Sequence, residues 1–114
     1  MQIPLEVTFR DMDRSDAVEA AAREKAGRLE RYFDRIIGCR VAIEAPHRHQ
    51  QKGKLYAVRI EISVPGNVIV VSHAGPRNPA HEDVYVALRD AFAAAARRLE
   101  DHARKVRGDV KSHS

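Results

Sequence analysis

Cysteine is almost absent from this chain of 114 residues. Cys39 stands alone, so no internal disulfide can form, which suits a reducing compartment. Tryptophan is missing and aromatics make up only 5% of the residues, so any core must be built from aliphatic side chains. No stretch approaches the roughly 20 consecutive apolar residues needed to cross a bilayer, which excludes a membrane-spanning helix. Met1 leads directly into QIPLEVTF, with neither a basic start nor a long apolar run, so no secretory leader and a soluble, cytoplasmic protein are expected. Also missing are a glycine-rich phosphate loop, a GK[ST] motif, H-E-x-x-H and a nucleophile elbow. The carboxylates interleave with Arg and Lys, as solvated ion pairs do. The expectation is therefore no enzyme, no cofactor and no small-molecule substrate.

Nor is there a strong charge of one sign. Lys and Arg total 20 against 16 Asp and Glu, a net charge of +4, which a solvated surface explains as readily as a polyanionic partner. No internal repeat or low-complexity segment is visible. A chain of this length folds as one domain, able to bury about two thirds of its unfolded surface without a metal or disulfide staple.

What is present is clear hydrophobic periodicity. Residues 3–9 alternate, with Leu5, Val7 and Phe9 on one side and Glu6 and Thr8 on the other, the period of a half-buried strand. Ser15 is placed to cap a helix running to about Phe33, with Asp16 and Glu19 in its first turn where the dipole favours acids. Val18, Ala22, Ala26, Leu29 and Phe33 form its apolar stripe, and Arg23, Arg28 and Arg31 lie on another face. Cys39, Val41 and Ile43 begin a second strand; Tyr56, Val58, Ile60, Ile62 and Val64 mark a third. Pro65-Gly66 suits the centre of a type II turn, and residues 68–72 return as a fourth strand. From Glu82 to about Arg107 a long helix places Val84, Leu88, Ala91, Phe92, Ala95, Leu99 and Val106 on one stripe, with Gly108 as its stop and 109–114 as a flexible tail.

The order β-α-β-β-β-α, with one apolar face per strand and one stripe per helix, predicts an α+β fold: a four-stranded sheet carrying both helices on one face. The crossover through the first helix makes strands one and two parallel, and strands two to four an antiparallel meander. The open sheet face would show Glu6, Thr8, Arg40, Glu44, Arg59, Glu61 and Ser63, of mixed sign and so no polyanion platform.

Four histidines, His47, His49, His73 and His81, lie in or beside loops. No Cys or carboxylate joins them at ligand spacing and the surroundings are basic, so no metal is expected. The loop 45–54 reads as a polar tip, with a weak RNA contact by Arg48, Lys52 and Lys54 as the alternative. His102 falls on the apolar side of the last helix and reads as a partly buried residue. No exposed aromatic pair of the kind that stacks bases is seen. The basic helix faces remain: Arg23, Lys25, Arg28 and Arg31 on the first helix, and Arg89, Arg97, Arg104 and Arg107 on the last, with Arg98 and Lys105 on the shoulder of its stripe. Two such ridges side by side can grip phosphates. Glu24, Asp90, Glu100 and Asp101 dilute them, and charge pattern alone does not separate RNA binding from an ordinary salt-bridged surface.

The run Leu29-Glu30-Arg31-Tyr32-Phe33-Asp34-Arg35-Ile36, the later Glu82-Asp83-Val84-Tyr85-Val86-Ala87-Leu88 and the order of elements together resemble the ribosome hibernation promoting factor family, also called ribosome-associated inhibitor A or sigma-54 modulation protein, over residues 3 to about 107. The resemblance implies a fold similar to double-stranded-RNA-binding domains. It also implies binding to the small ribosomal subunit and its ribosomal RNA in the mRNA and tRNA channel near the decoding centre, silencing translation under stress or in stationary phase. By position nine of the basic helix residues named above, all but Arg107, match the family's basic helix sites. With no dimerisation domain after Gly108 the chain resembles the short form, and a monomer is expected. Two other readings stay open: a protein-interaction regulator of transcription through a sigma factor, and a generic duplex-RNA binder.

Overall fold

A computed structural model describes residues 3–45, 56–73 and 83–112. Strand β1 (Leu5–Arg10) leads into helix α1 (Asp16–Arg28), which tightens into a single 3-10 turn at Leu29–Arg31. Strands β2 (Gly38–Glu44), β3 (Ala57–Val64) and β4 (Asn67–His73) follow, and helix α2 (Val84–Ser112) closes the fold. The sheet order is β1-β2-β3-β4. β1 and β2 are parallel and the other two pairings antiparallel, as the crossover and hairpin arguments predict. The α+β architecture and the placement of both helices against one sheet face also follow the sequence.

Alternation explains the layering. Every second residue of the central strands is buried, including Val41, Ile43, Val58, Ile60 and Ile62, and these meet Val18, Ala22, Ala26 and Leu29 from α1 and Leu88, Ala91, Phe92, Ala95 and Leu99 from α2 in a single cluster. Fully burying each Ile or Leu contributes about 1.5–3 kcal/mol, so the faces of the elements are set by this cluster. Within the β3–β4 hairpin, Pro65 holds φ near −65° and Gly66 adopts φ 77°, the pairing a type II turn requires.

The structure departs from the sequence reading at the helix ends. α1 is α-helical only to Arg28; the expected last turn through Phe33 becomes the 3-10 segment, with the Tyr32 N–H donating to the Leu29 carbonyl at 3.0 Å. α2 does not stop at Gly108 but continues to Ser112. One glycine costs a helix only about 1 kcal/mol relative to alanine, and no proline follows to enforce the break. Asp83 starts this helix, its Oδ1 accepting from the Tyr85 N–H at 2.9 Å. At 29 residues α2 is roughly 43 Å long, and among its side chains described, through Gly108, the last fully buried one is Leu99, so the turns after it project from the body. The radius of gyration, 15.4 Å, exceeds the ~13 Å of a compact chain of this size, in keeping with that projection.

Candidate nucleic-acid interface

α1 supplies the first ridge. Ser15 Oγ accepts from the Val18 N–H at 3.3 Å and fixes the helix start, while Val18, Ala22, Ala26 and Leu29 turn one face into the core. Small alanines let the helix lie close to the sheet. Arg23, Arg28 and Arg31 are exposed and Lys25 is half-buried at the core margin. Two of these cations are already engaged: Arg23 Nη2 bonds Glu19 at 2.9 Å and Arg28 Nη2 bonds Glu24 at 2.5 Å, both one turn away. Glu19 also receives Arg14 at 2.7 Å. The hydrogen bond from Arg23 holds the Glu19 carboxyl below the usual range, against partial desolvation, with Arg14 adding its charge. Among the described residues Lys25 and Arg31 form no ion pair.

α2 supplies the second ridge, alongside α1 on the same sheet face. Arg89 bonds its neighbour Asp90 at 3.2 Å, and Arg104 bonds Asp101 one turn earlier. Arg98 is spent differently, its Nη1 donating to the Val70 carbonyl on β4 at 3.2 Å. Arg97 and Lys105 are exposed and, among the described residues, make no ion pair. Exposed pairs of these kinds are worth only about 0.2–1 kcal/mol, so an arginine can leave its carboxylate for a phosphate at little cost.

The two ridges converge at one end. A cleft of about 400 Å³ lies between the 3-10 turn and the outer turns of α2, lined by Arg31, Arg35 and Arg107 around Tyr32, Phe33 and Val106, with Glu30, Asp34 and Ala103 completing it. The Phe33 ring meets the His102 ring edge-on, centroids 5.1 Å apart and planes at 80°, which seats the turn against α2 and accounts for the histidine as a packing residue. Neither Arg35 nor Arg107 is among the nine sequence-predicted site residues. Arg35 was beyond the expected reach of the helix ridge, and only the actual path of the chain after Leu29 returns it to α2. The helical period does place Arg107 on the outer face of α2.

The model of the family described as sigma 54 modulation protein / S30EA ribosomal protein matches residues 5–107. The chain belongs to that family. Solved structures share its fold, two of them as follows. One is the N-terminal domain of Protein Y from Thermus thermophilus, 21% identical with a TM-score of 0.68, covering 90% of this chain and 99% of that one. The other is a ribosomal subunit interface protein from Coxiella burnetii, 17% identical with a TM-score of 0.68 and the same coverages, 90% and 99%. A search of curated proteins finds no match.

Beyond the ridges, the open sheet face of this family member carries the mixed charge the alternation predicts. Arg40 lies 3.8 Å from Glu6 and Arg59 3.1 Å from Glu61, beside a shallow hollow of about 150 Å³. Cys39 is buried among apolar neighbours, which pushes its thiol up to about 12 and leaves it inert as a nucleophile. Among the described residues no group of three or more His, Cys, Asp or Glu could hold a metal, and no helix is long and apolar enough to cross a membrane. His47, His49 and His81, with Arg48, Lys52 and Lys54 of the basic loop, lie outside the described residues, as does the side chain of His73.

Proposed function

We propose that this protein binds the small ribosomal subunit through its two helix ridges, occupies the mRNA and tRNA channel near the decoding centre, and so silences translation under stress or in stationary phase. The observation that carries the reading is the match of residues 5–107 to a family described in part as a ribosomal protein, in a chain whose two helices present arginines side by side on one sheet face. The mechanism is occlusion. Exposed guanidinium groups on α1 and α2 take phosphates of ribosomal RNA, the sheet holds the two ridges at a set spacing, and no bond is made or broken. Arg31 and Arg97 lead, because neither exchanges an existing ion pair among the described residues; Arg23, Arg28, Arg89 and Arg104 follow by giving up surface carboxylates. Lys25 and Lys105 add point charges at the margins. Arg98, tied to β4, contributes least. No membrane or small-molecule substrate enters this scheme, which belongs in the cytoplasm with the ribosome.

Sedimentation through sucrose gradients tests it. The protein should travel with small subunits and be released as salt rises, with a log–log slope of about −0.7 to −0.9 for each phosphate contact. Reversing Arg28 and Arg31 to Glu together should abolish co-sedimentation, whereas unchanged binding would remove this face from the interface. The sigma-factor part of the family description supports a second reading, a protein-binding regulator. In that case RNase and high salt would leave a protein partner attached to the chain and no ribosomal association to lose.

A further inference from the structure

The two edges of the sheet are finished differently. On β4 the Val68 N–H is taken by the Asn67 side chain at 2.8 Å, and the Val70 carbonyl accepts from Arg98 at 3.2 Å, so two of the outward main-chain groups that could template another strand are occupied. On β1 the ladder parity is set by the Cys39 N–H donating to the Pro4 carbonyl at 2.9 Å and the Ala45 N–H to the Arg10 carbonyl at 3.1 Å. In a parallel pair, residues that bond the neighbour alternate with residues that face away, so Leu5, Val7 and Phe9 direct their N–H and C=O groups to the outer edge. Among the described residues nothing bonds those groups.

The same strand is complementary to itself. Glu6, Thr8 and Arg10 are exposed on the open face. A second copy laid antiparallel about Thr8 sets Glu6 opposite Arg10 twice, and sets Val7 opposite Phe9, which are residues with outward main-chain groups. Moving the two-fold to Val7 keeps the hydrogen-bond parity but places Glu6 against Thr8 and Arg10 against Pro4, losing both charge pairs. Glu6 is free to turn outward, since its contact with Arg40 is long at 3.8 Å and both side chains are exposed. In place of the monomer expected from the resemblance, we propose that β1 is a homodimerisation edge, pairing antiparallel with β1 of a second copy about Thr8 to give one continuous eight-stranded sheet with all four helices on the same face. Because both copies use the same edge the two-fold contact closes at two copies, and the partly occupied β4 edge opposes further growth. This contact is independent of ribosome binding and is tested with the protein alone.

Sedimentation velocity of the full chain at low salt should show a concentration-dependent dimer. Glu6→Arg and Arg10→Glu, each bringing like charges face to face, should weaken it about tenfold or more, and the charge-swapped double variant should restore it. Circular dichroism checks that each variant stays folded. Thr8→Cys gives a second readout, because a non-hydrogen-bonded antiparallel pair brings Cα atoms to about 4.5 Å, within disulfide reach. It should cross-link under a mild oxidant, whereas Ser72→Cys on β4 should not; Cys39 is buried and does not compete. A monomer at all concentrations, a double variant no better than the single ones, or equal cross-linking at both edges would overturn the proposal.

Discussion

The two helices carry similar cations on very different foundations. α1 has 13 residues, shorter than an isolated helix needs to be stable in water, and it exists because Ser15 caps it and Val18, Ala22, Ala26 and Leu29 pack beneath it. α2 has 29 residues and is pinned along its first half by Ala87, Leu88, Ala91, Phe92, Ala95 and Leu99. Arginines on α1 are therefore positioned by packing directly below them. Those beyond Leu99 on α2, Arg104 and Arg107 with Lys105, are positioned by the stiffness of a helix that has left the core. One ridge is anchored and the other cantilevered, and the cleft lined by Phe33 and Val106 is where the first supports the second.

Removing an anchor from each helix gives the largest expected effects. Leu99 is fully buried at the last core turn of α2, so Leu99→Ala should cost about 3–5 kcal/mol. Leu29→Ala, at the 3-10 end of α1 where the chain can settle around the gap, should cost nearer 2–3 kcal/mol. Urea unfolding with unchanged m-values measures both. A Leu29→Ala loss equal to or above that of Leu99→Ala would mean that the two anchors are equivalent.

Next in size are the arginines. If each ridge meets phosphates, Arg97→Ala should remove about 1.5–3 kcal/mol of ribosome affinity and shallow the salt slope by one contact. Arg23→Ala should remove less, because Arg23 already holds Glu19 and would have to exchange it. Glu24→Gln should have the opposite sign, releasing Arg28 and tightening binding. Titrating ribosome co-sedimentation for the three variants at two salt concentrations decides it. Equal losses at Arg97 and Arg23 would show that the ion pairs on α1 do not matter.

Much of this arrangement is legible in the sequence, and the parts that are not have physical reasons. Alternation exposes the strands because a one-residue slip would turn Ile60 and Ile62 to solvent, and the crossover rule then orders them. The stripe on α2 is equally plain, although fully buried Ala87, one turn before Ala91, flanks it and is not counted on it. Helix ends are harder. Gly108 carries stop chemistry, but the preference is small, and the tightening after Arg28 depends on how Phe33 meets His102, 69 residues later in the chain. The same holds for the candidate site: the nine basic residues sit on exposed or marginal faces as their spacing requires, but the bond from Arg98 to Val70 and the nearness of Arg35 to Arg107 come from tertiary packing, which no local pattern encodes.

Smaller again are the helix starts. Ser15→Ala should destabilise the protein by about 1 kcal/mol, since α1 has little length over which to absorb a lost cap. Asp83→Ala removes the corresponding bond to Tyr85 but should cost only a few tenths to about 1 kcal/mol, because the first turn of α2 can fray while Leu88 stays packed. Thermal unfolding of the pair measures the contrast, and a larger loss at Asp83 would contradict the claim that the short helix depends more on its cap.

The smallest effect is electrostatic and concerns how α1 begins. Glu19 takes the Arg23 hydrogen bond and faces Arg14, and these hold its folded-state pKa below the usual carboxylate range. A lowered carboxyl favours the folded state above the unfolded pKa, and that contribution disappears as pH falls through the folded value. The interaction therefore supports α1 at neutral pH and is lost only in acid, below about pH 4.5. Because Arg23 is the larger cause, Arg23→Ala should return the Glu19 titration, followed by carboxyl carbon NMR, further toward its ordinary value than Arg14→Ala does. The reverse order would assign Glu19 mainly to Arg14, which precedes the helix. Arg23 would then be held less tightly and would join Arg31 among the readily available cations of the anchored ridge.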